Sequence, residues 1–558
     1  MAQKPAGTRP PAASLETATA GSRDETAFGE LTVRHLAAYE TITGLAFTAR
    51  KRRQALQWVG QQREAILQLR RQGIGFDLGP AEVFDPRLPG VAYPTREQPR
   101  RFSIRRPAPL PENDDDIAFA PLTMLAAWVH AGAISSERLT RIYLDRLKRY
   151  APVLVCAPVI MERQAMAAAR RADKELAAGT YRGPLHGIPW GAKDLLDSKG
   201  VPTQWGAEPY LGRTPGSDAT VVERLREAGA VLVAKLSLGA LAMDDVWNEG
   251  MTRNPFDLEQ GSSGSSAGSA SAVAAGLVGF AIGSETLGSI VSPSARCGTA
   301  GLRPTFGRVP RGGAMPLCWS MDKLGPMCRG AEDTALVLAA IGGYSVAAQR
   351  RDPALLDVPF NYNARSRTKG LRIGYDATES GAKEQAKDRH VRTMLAEAGF
   401  EMVPVKLPAI PLRPLYLALL VEAAASFDEL TRSGADDQLR RQTDDAWPNS
   451  LRTIRYLPAV EYMQARRLRR RAMEAIHDLY EEKGLAAYLS PGSLGGMLAL
   501  SNFTGHPAIT VRTGFDETGH PQAATLTGRL FDEGTLVRMG TVLEKAAGVA
   551  GVRPKLPA

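Results

Sequence analysis

The sequence predicts an α/β fold built on a substantially parallel sheet, and three observations carry that prediction. Short apolar runs follow helical stretches: Ala230-Val231-Leu232-Val233-Ala234 comes directly after the helix-like Ala219 to Ala228. The same order recurs where Leu371 to Tyr375 reads as a strand and Lys387 to Ala398 as a helix, and alternation of this kind is the pattern of a parallel sheet. The chain of 558 residues, 44% hydrophobic and 23% charged, is also long enough and ordinary enough in composition to bury a large core.

Taken in order, the elements divide the chain into three parts. Residues 1–28 are rich in Pro, Ala, Thr and Ser and lack an apolar h-region, so a disordered tail is expected there, not an intact signal peptide. Residues 29–112 read as a helical extension followed by a linker. Leu31 to Gly73 forms two helices, the second capped by Thr48 and striped by Leu56, Val59, Ile66 and Leu69 at helical spacing. Phe76 to Glu112 is rich in Pro, lacks periodicity and is expected to wrap a surface. The main domain occupies 113–558. It opens with a helical pair over Leu122 to Tyr150 and a helix over Met161 to Ala178. Ile410 to Lys483 is strongly helical, with Arg466 to Arg471 expected as a solvated face. Ala486 to Leu489 and Ala508 to Arg512 read as closing strands.

Composition excludes several function classes. The longest apolar stretch, Ala267 to Ile282, is interrupted by Ser and Gly and is shorter than the ~20 residues a bilayer requires, so no membrane span is expected. Cys156, Cys297, Cys318 and Cys328 are too scattered for a disulfide framework and share no metal-ligand spacing with the seven histidines; reduced thiols and no metal are expected. Met1 to Leu110 holds 17 Lys and Arg against 10 Asp and Glu, so an excess of 7 of the net +10 sits there. No recognition motif accompanies that charge, and no nucleic-acid partner is expected.

The stretch that carries chemistry is Gly261 to Thr305. Eight of the nine residues from Gly261 to Ser269 are Gly or Ser, and an apolar run follows at once, so the tract opens a buried element. Such a tract suits either a phosphate at a helix N-terminus or a nucleophile with an oxyanion hole. A P-loop needs a Lys that is absent here. Gly264-Ser265-Ser266-Ala267-Gly268 matches G-x-S-x-G, but that motif needs a preceding strand, and Asn254 to Gln260 reads as a turn. Ser320-Met321-Asp322-Lys323 matches S-x-x-K without its supporting motifs.

Three motifs in order resemble the amidase signature family. Ser263-Gly264-Ser265-Ser266-Ala267-Gly268-Ser269 is similar to the family's Gly/Ser tract, and Glu285-Thr286-Leu287-Gly288-Ser289-Ile290 to its Asp-x-Gly-Gly-Ser-Ile. Leu185-His186-Gly187-Ile188-Pro189-Trp190-Gly191-Ala192-Lys193-Asp194 resembles the segment with its catalytic lysine. The likeness runs from about Ala120 to the C-terminal strands. It implies a central mixed, largely parallel twisted sheet covered by helices on both faces. It also implies Ser289 as nucleophile, Ser265 as bridging serine, Lys193 as base, and a cis Gly264–Ser265 peptide. A serine hydroxyl needs such a base to attack. Lys193 must then be neutral, and burial among Ile188, Pro189, Trp190 and Leu195 is the obvious lever, provided that Asp194 points elsewhere. Thr286, Leu287 and Gly288 are expected to shape the oxyanion hole.

Leu287 replaces a family Gly, Glu285 an Asp and Val291 an Arg, while Arg296 stands where an aromatic is common. If position 287 needed φ > 0, Leu would cost roughly 1–2 kcal/mol. Met243, Trp247, Trp319 and Met321 are expected to line the cleft and favour an apolar or aryl substrate; Asp244 and Asp245 either edge it or are capping or solvated groups. His186 and His506 read as structural. The resemblance implies a cytoplasmic hydrolase without cofactor that cleaves a small-molecule amide. A carbamate, urethane or ester hydrolase, or a subunit of a tRNA-dependent amidotransferase, are the alternatives. A homodimer is the oligomer considered.

Overall fold

The computed structural model describes residues 29–75, 78–104, 107–376, 386–491 and 495–557; the tail expected at 1–28 lies outside them. Among the described residues, eleven strands form one sheet. Its order is Val159–Ile160, Val231–Leu236, Pro189–Lys193, Phe280–Glu285, Lys323–Cys328, Ala300–Arg303, Ala508–Phe515, Pro521–Gly528, Leu485–Pro491, Arg372–Asp376 and Glu401–Val405. Parallel pairing occurs in two blocks. One joins Val231–Leu236, Pro189–Lys193 and Phe280–Glu285; the other joins Leu485–Pro491, Arg372–Asp376 and Glu401–Val405. Antiparallel pairs connect the blocks. The fold is thus the α/β class with a mixed sheet that the sequence predicts.

Burial on both sides explains why the parallel strands are legible as apolar runs. Trp190, Ala192, Phe280 and Ile282 enter the larger buried cluster. Their neighbours Val231, Val233 and Ala281 enter a second, with Leu144 and Leu147 of helix Ser136–Leu154 and Ala165 and Ala169 of helix Glu162–Ala177. A strand buried on both faces has no polar side to alternate with.

The sequence shows no strand at Ala300–Arg303 or Lys323–Cys328, yet these lie in the middle of the sheet. Gly and Pro in a central strand normally argue against it. Here a Cβ at Gly325 would overlap the Leu302 carbonyl oxygen, so only glycine permits the approach, and Pro326 pairs opposite Ile282. Asn254 to Gln260, expected as a turn, contains a small hairpin of Arg253–Asn254 with Asp257–Gly261. The helical stretch 410–483 is broken into Leu412–Ser426, Asp428–Ser433, Trp447–Thr453 and Ala459–Lys483. Its arginine run is not wholly solvated: Arg469 shares the buried face of the last helix with Ala465, Ala472 and Ile476. Its guanidinium donates to Ser320 O and Oγ, both at 2.8 Å, and to Phe503 O at 2.5 Å.

Helices Val33–Thr43 and Ala49–Arg70 form the start of the extension, and Thr48 Oγ1 caps the second by accepting from Lys51 N. Arg52 pairs with Glu40 at 2.9 Å and Arg63 donates to Gly29 O, which sets the two helices antiparallel. No residue of the second helix is buried. The Pro-rich segment that follows lies against the main domain. Phe84 meets Phe306 edge-on at 5.1 Å with Arg469 over its ring, Phe102 stacks on Tyr362, and Trp128 Nε1 donates to Ala108 O. No helix among the described residues is long and apolar enough to cross a membrane.

Candidate active site

Strands Pro189–Lys193 and Phe280–Glu285 are parallel neighbours, so Lys193 and Glu285 stand together at their carboxyl ends. Ligands of open α/β sheets bind in that position. Helix Ala267–Ala274 begins beside them, and every one of its residues is buried. Ala, Gly and Ser are required there: a Cβ on Gly268 would overlap Cys156 O and Ser237 N, and one on Gly264 would overlap Asp244 O.

Lys193 is 0% exposed. Its Nζ lies 2.8 Å from Ser265 Oγ, 3.0 Å from Ser266 Oγ and 2.9 Å from Ser284 Oγ, with Ser284 O at 3.4 Å. Burial pushes this amine well below the ordinary lysine value, against Asp322 and Glu285, whose charges favour the ammonium. Asp194 does turn away: it accepts from Gln204 N at 2.9 Å and stands 3.2 Å from the buried Lys235 Nζ. The Gly264–Ser265 peptide is cis. Ser266, which the G-x-S-x-G match would make a nucleophile, is fully buried and saturated. Its hydroxyl donates to Ser284 O, accepts from Ser284 N and meets Lys193.

Ser289 is half-buried and sits two residues before helix Val291–Cys297. Its carbonyl accepts from Ser266 N at 3.1 Å, which ties it to the Gly/Ser tract, while among the described residues no side chain bonds its hydroxyl. Glu285 organises this turn from inside. One carboxylate oxygen accepts from Ile290 N and Val291 N at 2.8 and 3.0 Å; the other accepts from Arg303 Nη1 at 2.6 Å and Asn502 Nδ2 at 2.8 Å. Burial alone would raise its pKa, but Arg303 and Lys323 hold it down at about 2. Thr286 Oγ1 donates to Asp322 Oδ1 at 2.5 Å, and Ser292 N donates to Gly288 O at 2.7 Å. Among the described residues, the N–H groups of Thr286, Leu287, Gly288 and Ser289 have no acceptor. Positive φ falls on Gly288, at 93°, and Leu287 is not among the positive-φ residues, so the substitution there carries no backbone strain.

The remaining expected residues separate. Met243, Leu287 and Trp319 are half-buried, and the Trp319 indole lies close to Gly79 of the Pro-rich segment. Trp247 and Met321 are 1% and 0% exposed and are removed from the cleft lining. The Trp247 indole donates to Val155 O, and Met321 belongs to the main core, so both hold the fold instead. Asp245 positions the tract by accepting from Ser263 N, whereas the exposed Asp244 pairs with Arg441. His186 bonds Arg182 N and Ala172 O; His506 is buried against Thr504, and burial takes its pKa to about 3. Neither contacts the serines. Sequence reasoning missed Ser284 as a Lys193 partner and Asp322 as the anchor of Thr286. The first had a signal, its place directly before Glu285; the second lay inside the S-x-x-K match that had no other support.

Comparisons with known proteins show the family. The family model described as Amidase matches residues 138–495. The chain is 34% identical over 472 residues to a glutamyl-tRNA(Gln) amidotransferase subunit of Roseiflexus castenholzii, covering 74% of this chain and 93% of that one. It is 32% identical over 474 residues to a putative amidase, AmiD, of Mycobacterium bovis, covering 79% and 97%. The solved peptide amidase of Stenotrophomonas maltophilia superposes with a TM-score of 0.70 at 30% identity, covering 78% of this chain and 98% of that chain. With its mixed sheet, its buried lysine among serines and these matches over most of the main domain, the chain belongs to the amidase signature family of enzymes.

Proposed function

We propose that the protein is an amidohydrolase in which Ser289 attacks the substrate carbonyl, Ser265 relays the proton and Lys193 receives it. The observation that carries this reading is the buried Lys193 amine 2.8 Å from Ser265 Oγ. A neutral amine offers a lone pair to that hydroxyl, and burial supplies the neutrality. As Ser289 Oγ bonds the carbonyl carbon, its proton passes to Ser265 and the Ser265 proton to Lys193. The carbonyl π pair moves onto oxygen, where the free N–H groups of the 286–289 turn face developing charge. Collapse returns that pair, breaks the C–N bond and releases the amine, which takes its proton back along the same relay. Water then repeats the sequence on the acyl-enzyme.

The half-buried Met243, Leu287 and Trp319 favour an apolar or aryl group on a small amide. Carbamates, urethanes and esters present the same carbonyl to the same groups. A second reading, an amidotransferase subunit, rests on the relatives that carry that name. Phenylmethylsulfonyl fluoride labelling with peptide mapping is expected to modify Ser289, and Ser289→Ala to lose at least about 10⁴-fold in kcat. Anilide, carbamate and ester forms of one scaffold then rank the substrates by kcat/KM. Hydrolysis by the single chain that is indifferent to tRNA and ATP supports the first reading; hydrolysis that requires them selects the second. Labelling elsewhere, with a fully active Ser289→Ala, rejects the mechanism.

A further inference from the structure

The turn before Ser289 is held from behind by two consecutive residues that the proposed mechanism does not use. Asp322 Oδ1 accepts from Thr286 Oγ1 at 2.5 Å, and Lys323 Nζ donates to Thr286 O at 3.4 Å. The Asp322 side chain and the Lys323 backbone are both anchored. The other Asp322 oxygen accepts from Leu317 N and Cys318 N at 2.8 and 2.9 Å. Lys323 is buried and opens strand Lys323–Cys328, in register opposite Glu285. Thr286 is therefore gripped at its hydroxyl and at its carbonyl from one strand end.

Peptide geometry turns this grip into an aim. In a trans peptide the carbonyl oxygen and the following N–H point in opposite directions. With Thr286 O drawn towards Lys323, the Leu287 N–H points away from Lys323, and it has no acceptor among the described residues. The next fixed carbonyls act alike: Gly288 O is taken by Ser292 N and Ser289 O by Ser266 N. The Lys323 bond sets the Thr286–Leu287 plane, which no helix or strand bond fixes.

We infer that Lys323, with Asp322, is a positioning residue for the oxyanion-binding turn: by holding Thr286 it aims the Leu287 N–H at the carbonyl oxygen of the substrate. The inference rests on Ser289 being the nucleophile. Burial, with Arg303 beside it, lowers the Lys323 pKa to about 7 although Glu285 and Asp322 pull the other way.

The test measures 4-nitrophenyl butyrate hydrolysis and the second-order rate of inactivation by phenylmethylsulfonyl fluoride on the full chain. Lys323→Met is expected to lower kcat by about 10- to 100-fold with KM within about twofold, and to slow inactivation by a similar factor. Lys323→Gln, which keeps an N–H donor, is expected to recover part of both rates. Should Lys323→Met fail to fold, Thr286→Val removes the hydroxyl half of the grip and is expected to lower kcat about tenfold with KM retained. Folded Lys323→Met or Thr286→Val with wild-type kcat and inactivation rate overturns the inference, as does a loss confined to KM. Mapping the wild-type adduct keeps the two ideas apart. An adduct away from Ser289 rejects the nucleophile, whereas a Ser289 adduct formed at the wild-type rate in Lys323→Met rejects only the positioning role.

Discussion

The Gly/Ser tract with its serine turn, residues 261–305, and the helical hairpin, residues 29–75, are opposite extremes of the same chain. In the first, atoms meet so closely that residue types are dictated: Gly264 and Gly268 face backbone atoms, Glu285 and Arg303 are buried as a pair, and the buried Lys193 reaches the tract from its own strand. In the second, helix Ala49–Arg70 has no fully buried residue, and Trp58, Ile66 and Leu69 face water. Constraint density is what differs. Where backbone meets backbone and charge is desolvated, a substitution costs several kcal/mol; where a side chain ends in solvent it costs tenths. The contrast also bounds where function can sit, because only the dense region has the exclusion of water that shifts a lysine.

The largest expected effect belongs to Lys193→Met, which leaves the relay without a base. It is expected to reduce kcat by about 10³- to 10⁵-fold. The wild-type pH profile tests the same residue. Deprotonation of Lys193 generates the active form, and burial lowers its pKa, so kcat/KM is expected to rise with pH along a limb centred well below the ordinary lysine value and then level. A kcat/KM that falls as pH rises from 6 to 10, with chemistry limiting, counts against lysine as the base and removes the distinction drawn between the regions.

Glu285→Gln comes next. The variant keeps an acceptor for Ile290 N and Val291 N but leaves Arg303 buried without its counter-charge, an error worth about 3–5 kcal/mol. Urea unfolding measures it. The pH dependence has a defined sign: the carboxylate's folded pKa, about 2, lies below its ordinary 4.5. The stabilisation is complete above about pH 4.5 and is lost as pH falls towards 2, so that part of the acid sensitivity should vanish in Glu285→Gln. Equal stability of variant and wild type at pH 7 contradicts the buried pair. Gly264→Ala follows. The new methyl overlaps Asp244 O, so Ser265 must move relative to Lys193, and a shift of about 1 Å costs on the order of 10² in rate. Steady-state kinetics on a folded variant decide it.

Legibility in the sequence followed the same gradient. The tract 261–269 and Glu285 to Ile290 could be matched to a family because close approach leaves few residue types possible. The parallel strands were legible because both of their faces are buried. Strand Lys323–Cys328 was not, since Gly325 and Pro326 answer to a neighbouring carbonyl and a tight register that no local propensity reveals. The S-x-x-K match had the opposite fault: the spacing is present, but Ser320 bonds Glu422 and Arg469 while Lys323 reaches Thr286. Trp247 and Met321 stand near segments that resemble the family's cleft border, but sequence position alone does not say which side of the backbone a side chain takes. Arg469 escaped notice because a run of arginines on a helix looks solvated until its buried neighbours are counted at intervals of three and four.

The smallest expected effect is the sharpest check on the comparison. Trp58 is 66% exposed on a helix with no buried residue, so Trp58→Ala removes contacts mainly with water. Stability is expected to change by no more than about 0.5 kcal/mol and kcat/KM by less than about twofold. The Pro-rich segment links the two regions: Phe84 lies under Arg469, and Arg469 holds Ser320, two residues before Asp322. A change at Trp58 reaches the serine turn only if the hairpin orders that segment. Thermal unfolding and steady-state kinetics of Trp58→Ala, set beside Phe84→Ala, therefore ask whether low constraint at the surface is also low coupling. A silent Trp58→Ala with a slowed Phe84→Ala places the boundary between the regions inside the extension itself, after the hairpin and before Phe84.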